Sequence, residues 1–138
     1  MLSTILKHLY TRSLVIQDET STGSILNRLK IKLRKERLTV RELIRERVFQ
    51  EVAQYNVQRP LCYHGLIAPA GAEPVLNGYR LLHRHKIDPE QHFYRTMDAF
   101  YNKNFCILVD ELRLDDPEHP IVVRPHTRVS FLKLMCVA

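Results

Sequence analysis

Cys62-x-His64 and His83-x-His85 bring four zinc-ligand types into one stretch of the chain, and ligands one residue apart share a side of an extended strand. The spacing is not that of a familiar zinc module, and isolated pairs of this kind are usually surface histidines. No metal and no cofactor is therefore expected. Cys106, inside Phe105-Cys106-Ile107-Leu108-Val109, and Cys136, in the apolar final segment, read as protonated core thiols rather than nucleophiles. Asp110-Glu111 and Asp115-Asp116 suggest a carboxylate pair, but adjacent acids in a turn are ordinarily solvated and no partner base is evident. No phosphate loop, nucleophile elbow or dinucleotide fingerprint is present. The chemistry-bearing residues thus predict a protein that is not an enzyme.

The charge pattern is more informative. The chain carries 21 Lys and Arg against 15 Asp and Glu, a net +6, and all of the excess falls in the first half. It narrows to residues 28–47, where Arg28, Lys30, Lys32, Arg34, Lys35, Arg37, Arg41, Arg45 and Arg47 face only Glu36, Glu42 and Glu46. A face of this kind attracts polyanions without selecting among them. No aromatic residue interrupts the run to offer base stacking. A protein partner with an acidic surface is therefore expected, with nucleic acid the less favoured alternative and no membrane. Arg28, Lys30, Lys32 and Arg34 are the candidate partner-binding residues.

These residues need elements to hold them. Leu14-Val15-Ile16-Gln17-Asp18-Glu19 reads as a strand, and Thr20-Ser21-Thr22-Gly23-Ser24 as the turn that follows. In the next strand Leu29, Ile31 and Leu33 alternate with Arg28, Lys30, Lys32 and Arg34, so one face enters a core and the other carries cations into water. From Thr39 the period becomes helical, with Val40, Leu43, Ile44, Val48, Val52 and Tyr55 on one stripe and Arg41, Glu42, Arg45, Glu46 and Gln50 off it. Thr39 and Glu42 have the spacing of a capping box. A helix of about 16 residues, ending near Asn56, would be about 24 Å long and would match the roughly 23 Å of strand 28–34.

Residues 57–87 are rich in breakers and predict an irregular insertion, with a short strand at 79–82. Asp88-Pro89-Glu90-Gln91 begins a second helix with Phe93, Met97 and Phe100 on its buried stripe. Three strands follow, at Phe105–Val109, at 121–123 and at 129–137, separated by the turns 115–120 and 124–127. Residues 1–11 are compatible with a helical turn or with an extension of the first strand.

With 138 residues, 45% of them hydrophobic, and only four glycines, the composition is that of one globular domain, 1–138, with 57–104 inserted between the first helix and the third strand. No apolar run has the roughly 18 to 20 residues of a membrane span, and the first residues lack the pattern of a cleaved leader. Three cysteines without Cys-x-x-Cys spacing suit a reducing compartment. The expected location is the cytoplasm.

The order of elements predicts an α+β fold in which the last strand pairs parallel with the first and the long helix crosses one sheet face. That is the ubiquitin-like β-grasp, here with an insertion carrying a second helix. The run 105–109, the acidic turn, and residues 121–132 resemble the end of ubiquitin-like sulfur carriers. Thr39-Val40-Arg41-Glu42-Leu43-Ile44-Arg45, Asn77-Gly78-Tyr79-Arg80 and Val129-Ser130-Phe131-Leu132-Lys133-Leu134 are similar to segments of a group of small bacterial β-grasp proteins. The resemblance implies a ubiquitin-like protein-binding module, an adaptor or accessory subunit of a bacterial multi-protein system. Carriers act through a terminal Gly-Gly, whereas this sequence finishes Met135-Cys136-Val137-Ala138. The alternative expectations are a carrier or modifier activated at the tail Val137-Ala138, and a small nucleic-acid binder using the basic strand.

Overall fold

Period-two alternation sets the first two strands, β1 (Arg12–Thr20) and β2 (Ile25–Leu33), which pair antiparallel with Leu14 opposite Ile31 and Ile16 opposite Leu29. The computed structural model describes residues 12–76 and 78–134. The expected tail residues Val137 and Ala138, Cys136 and residues 1–11 lie outside this range. Strand β3 (Arg37–Thr39) leads directly into helix α1 (Val40–Gln58). Thr39 Oγ1 accepts from the Glu42 amide and Glu42 Oε1 accepts from the Thr39 amide, both at 3.1 Å, so the capping box forms as its spacing requires. The helix has 19 residues and passes the expected end at Asn56, because Gln58 still belongs to it and Arg59, in the left-handed region at φ 43°, closes it on the Tyr55 carbonyl.

The insertion is more regular than its breakers suggest. Strands β4 (Ala72–Val75) and β5 (Gly78–Leu81) form a hairpin, and Tyr63 and Tyr79 exchange backbone hydrogen bonds at 2.7 and 2.9 Å. Helix α2 (Pro89–Tyr101) starts where Asp88 caps the Glu90 and Gln91 amides and Pro89 needs no donor. Phe93, Met97 and Phe100 are buried as their spacing predicts, and His92, Thr96 and Ala99 join them.

Four strands follow rather than three: β6 (Phe105–Val109), β7 (Leu112–Leu114), β8 (Pro120–Val122) and β9 (Val129–Lys133). The additional strand β7 arises because Asp110 and Glu111 both adopt positive φ, 49° and 69°, the geometry of a two-residue hairpin turn. The Arg128 amide donates to Asp110 Oδ1 at 2.9 Å and holds that turn. The main sheet is mixed, in the order β2-β1-β9-β6-β7, with β9 parallel to β1 and antiparallel to β6. β3 pairs with β8 in a separate two-stranded ribbon.

Among the described residues the fold is therefore α+β, a five-stranded mixed sheet with two helices. Its core lies between one sheet face, bearing Leu14, Ile16, Ile31, Leu33, Ile107, Val129 and Phe131, and the stripe of α1. No helix among the described residues is long and apolar enough to cross a membrane. Removing the α1 cap with Thr39→Ala is expected to lower the unfolding free energy by about 1 kcal/mol with an unchanged denaturant slope, as read by urea titration.

Candidate functional site

Strand β2 lies at one edge of the described sheet. Its pleat sends Leu29, Ile31 and Leu33 toward α1 and leaves Arg28, Lys30 and Lys32 on the opposite, open face. There they stand across from Gln17, Val15 and Ser13 of β1. Arg28 Nε donates to Gln17 Oε1 at 3.2 Å, and Val15 is 53% exposed between the cations. Arg34 follows the strand on the exposed surface. Gln50 of α1 lays its carboxamide on the outer edge of β2, accepting from the Lys32 amide at 2.9 Å and donating to its carbonyl at 2.8 Å. The outward backbone groups at Lys32 are thereby satisfied as a neighbouring strand would satisfy them.

The structure divides the basic run 28–47 in two. The cations on and beside the helix are engaged within the molecule: Arg41 with Glu118 at 2.8 Å, Arg45 with Glu90, and Lys35 with Glu42 at 2.5 Å. Arg45 also lies over the rings of Phe49 and Phe93, at 4.4 and 5.1 Å, and so serves the contact of α1 with α2. Lys30 and Lys32 have no ion-pair partner among the described residues. Of the basic run, Lys35, Arg41 and Arg45 are thus tied to carboxylates of the molecule, whereas Arg28, Lys30 and Lys32 point from the strand into solvent.

Arg47 departs furthest from that expectation. It is 1% exposed, with Nη1 and Nη2 each 2.5 Å from an Asp18 oxygen and Nε 2.6 Å from Glu51 Oε1. Its guanidinium also lies 4.6 Å from the Phe131 ring centroid. Asp18 is 3% exposed, so a complete ion cluster sits inside the helix–sheet interface. Spacing carries part of this signal: Arg47 stands three residues after Ile44, and Glu51 three after Val48 and four before Tyr55, on the stripe itself. Burial raises the Glu51 carboxyl above its ordinary value, the nearby Arg47 charge only partly reverses this, and the Asp18 charge adds to the rise.

Glu51 leads to a small cluster of polar residues. Tyr55 meets Tyr63 edge-on at 5.6 Å and Tyr63 meets His92 edge-on at 5.5 Å. Gly65 is required beside them, since a Cβ there would fall 2.2 Å from Tyr63 Cε1. Glu51 Oε2, the Tyr55 hydroxyl and His92 Nδ1 are buried without a hydrogen-bond partner. Burial, assisted by the Arg95 charge, pushes the His92 imidazole down to about 4. Burial also raises the Tyr63 phenol, with the Glu51 charge adding to the effect.

Cys62 and His64 share the cavity of about 200 Å³ beside this cluster. His83 and His85 are exposed and lie apart from it, with His85 Nδ1 against the His83 carbonyl at 2.6 Å. No group of three or more potential metal ligands occurs among the described residues. Cys106 is buried, as expected of a core thiol, and its thiol is raised by that burial, whereas Cys62 is only half-buried. Asp110, Glu111, Asp115 and Glu118 serve turns and surface pairs. No family model, curated protein or solved structure matches the chain.

Two outcomes follow from the buried groups. Arg47→Met leaves two carboxylates without their cation and is expected to cost about 3–5 kcal/mol in urea unfolding, while replacing Asp18, Arg47 and Glu51 together by apolar residues of similar size restores most of the loss. His92 has a folded pKa below its ordinary value of 6.5, so between pH 6.5 and about 4 the unfolded chain binds more protons and stability falls with falling pH. The stability advantage of the wild type over His92→Gln should therefore shrink as the pH is lowered through that window.

Proposed function

We propose that this chain is a ubiquitin-like β-grasp protein-binding module, an adaptor or accessory subunit of a bacterial multi-protein system, acting without catalysis in the cytoplasm. The strand order supports the β-grasp reading: a hairpin first, a long helix across one face, and a last strand parallel to the first at the sheet centre. The contact surface is the open sheet face at β2, where Arg28, Lys30 and Lys32 line up against Val15. One observation carries this assignment. The helix cations are engaged by Glu118, Glu90, Asp18 and Glu51, whereas Lys30 and Lys32 are held by no carboxylate among the described residues.

Three like charges at alternate strand positions repel one another, and an acidic surface opposite them would relieve that repulsion. Such complementarity mainly raises the encounter rate and sets the register, so binding should weaken steeply with salt. The exposed Val15 offers an apolar contact within the charged border.

The test is capture on the full chain from the source lysate under native and denaturing conditions, beside the double variant Lys30→Glu/Lys32→Glu. A defined protein partner is expected that resists nuclease, is released by denaturation, and is reduced at least tenfold with the variant, whose fold stays intact. A partner retained through denaturation, together with added mass on the bait, would favour a carrier or modifier. Solely nuclease-sensitive material would favour the nucleic-acid reading. Undiminished capture by the variant would leave the β2 face as ordinary solvated surface.

A further inference from the structure

Away from the open sheet face, the chain between β5 and α2 carries a second basic run, in which His83, Arg84, His85 and Lys86 are consecutive and all exposed. Side chains from α1 and its end fix this segment. Asn56 accepts from the Ile87 amide at 2.8 Å and donates to the Ile87 carbonyl at 2.9 Å, and the Arg84 guanidinium donates to the Arg59 carbonyl. Where the segment meets α2 lies a cavity of about 110 Å³, bordered by His85, Lys86, Asp88, Gln91, His92 and Arg95. A water molecule takes about 30 Å³ of the liquid, so this room suits one small polar group rather than a large ligand.

The walls show what kind of group. Arg95 lays Nε and Nη2 on the Ala68 carbonyl, at 3.3 and 3.1 Å, which fixes the plane of its guanidinium and leaves Nη1 without an acceptor among the described residues. Neither Arg95 nor Lys86 has a carboxylate partner among those residues, in contrast to Arg41, Arg45 and Arg80. Asp88, the acidic member of the wall, is already engaged: its Oδ1 accepts from the Glu90 and Gln91 amides at 3.0 and 3.5 Å, at the positive end of the α2 dipole. The lining thus keeps an excess of positive charge. Its most buried polar member is His92, 2% exposed. The His92 Nδ1 is closed off, so Nε2, which no described residue engages, is the ring nitrogen that can serve the cavity. Burial, and then the Arg95 charge, hold this imidazole down to about 4, so it meets the cavity uncharged and able to carry its proton on Nε2. A cation would be repelled here, and a neutral group would leave both positive charges as they are. An oxyanion pairs with Arg95 and Lys86 and also accepts from Gln91 and His92.

We infer that the cavity between the 83–88 segment and α2 is a binding site for a single oxyanion group, a carboxylate or phosphate, held by Arg95 and Lys86 and completed by donors from Gln91 and His92. That chemistry is shared by a small free anion and by an acidic or phosphorylated side chain. The fixed guanidinium and the anchored segment lower the ordering cost of binding, since the donors are in place before the anion arrives. The site shares no residue with the β2 face and does not rest on the function proposed for that face.

The experiment is an NMR titration of the full chain with sodium phosphate, sodium acetate and, as the neutral isostere of acetate, acetamide, with ionic strength held constant by sodium chloride. Saturable shifts of the His85 and His92 imidazole signals and of the Gln91 carboxamide are expected with at least one of the two anions, and at least tenfold weaker binding with acetamide. Arg95→Gln should weaken anion binding tenfold or more. Lys86→Gln, at the exposed rim, should weaken it about threefold and serves if Arg95→Gln disturbs the fold. The Lys30→Glu/Lys32→Glu variant should bind the anion as the wild type does. Capped glutamate and phosphoserine amides distinguish the sources: tighter binding than the free anion indicates a partner's side chain, equal or weaker binding a small free anion, and either supports the shared chemistry. Equal binding of acetamide, unchanged affinity in both cavity variants, loss of the response in the Lys30/Lys32 variant, or no saturable shift with either anion would overturn the inference.

Discussion

The bidentate grip of Arg47 on Asp18 is the constraint from which the remaining geometry follows. Asp18 belongs to β1, Arg47 to α1, and Phe131 beneath the guanidinium to β9, so one side chain ties the helix to the two central parallel strands. Apolar burial alone would hold α1 against the sheet but is weakly directional. Two parallel N–H···O bonds fix both the rotation of the helix and its position along its axis. A lysine could supply the charge but not this fork. The cluster thus contributes register, while the surrounding leucines, isoleucines and phenylalanines supply most of the stabilising area.

With α1 held in this rotation, its other faces acquire distinct tasks. Gln50 arrives at the outer edge of β2 and closes the backbone at Lys32. Arg45 reaches the start of α2 and Arg41 the turn before β8, so each joins the helix to a neighbour. Glu51 and Tyr55 come to border the cavity under the insertion. Positive charge that looks uniform along residues 28–47 is therefore sorted by geometry into cations paired on the helix and exposed cations on the strand. The same helix thus borders both the open basic sheet face, through Gln50 on β2, and the cavity beneath the insertion.

Much of the scaffold was legible because its signals are local. The alternation of Leu29, Ile31 and Leu33, the Thr39–Glu42 box and the Asp88-Pro89 start each encode an element within a few residues, and each forms where its pattern places it. What stayed hidden is non-local. The bridge by which Tyr63 pairs with Tyr79, and so ties the start of the insertion to the β4–β5 hairpin, is a contact that no short pattern announces. β7 depends on Asp110 and Glu111 accepting positive φ, which their types permit but do not demand. Arg47 was obscured for a different reason, since a charge on an apolar stripe reads as surface until its partner is known, and Asp18 lies 29 residues away. The cavity was visible only as Cys62-x-His64, whereas its opposite wall comes from Glu51 and Tyr55 on the helix.

The sorting of positive charge is tested most directly by recording backbone amide shifts of the full chain while an eight-residue glutamate peptide is added at low salt. If the strand cations alone remain available, the largest changes fall at Arg28, Lys30 and Lys32 and at Val15 and Gln17 beside them, and they fade as salt is raised. Changes centred on Arg41, Arg45 or Arg47, with β2 unmoved, would contradict the account.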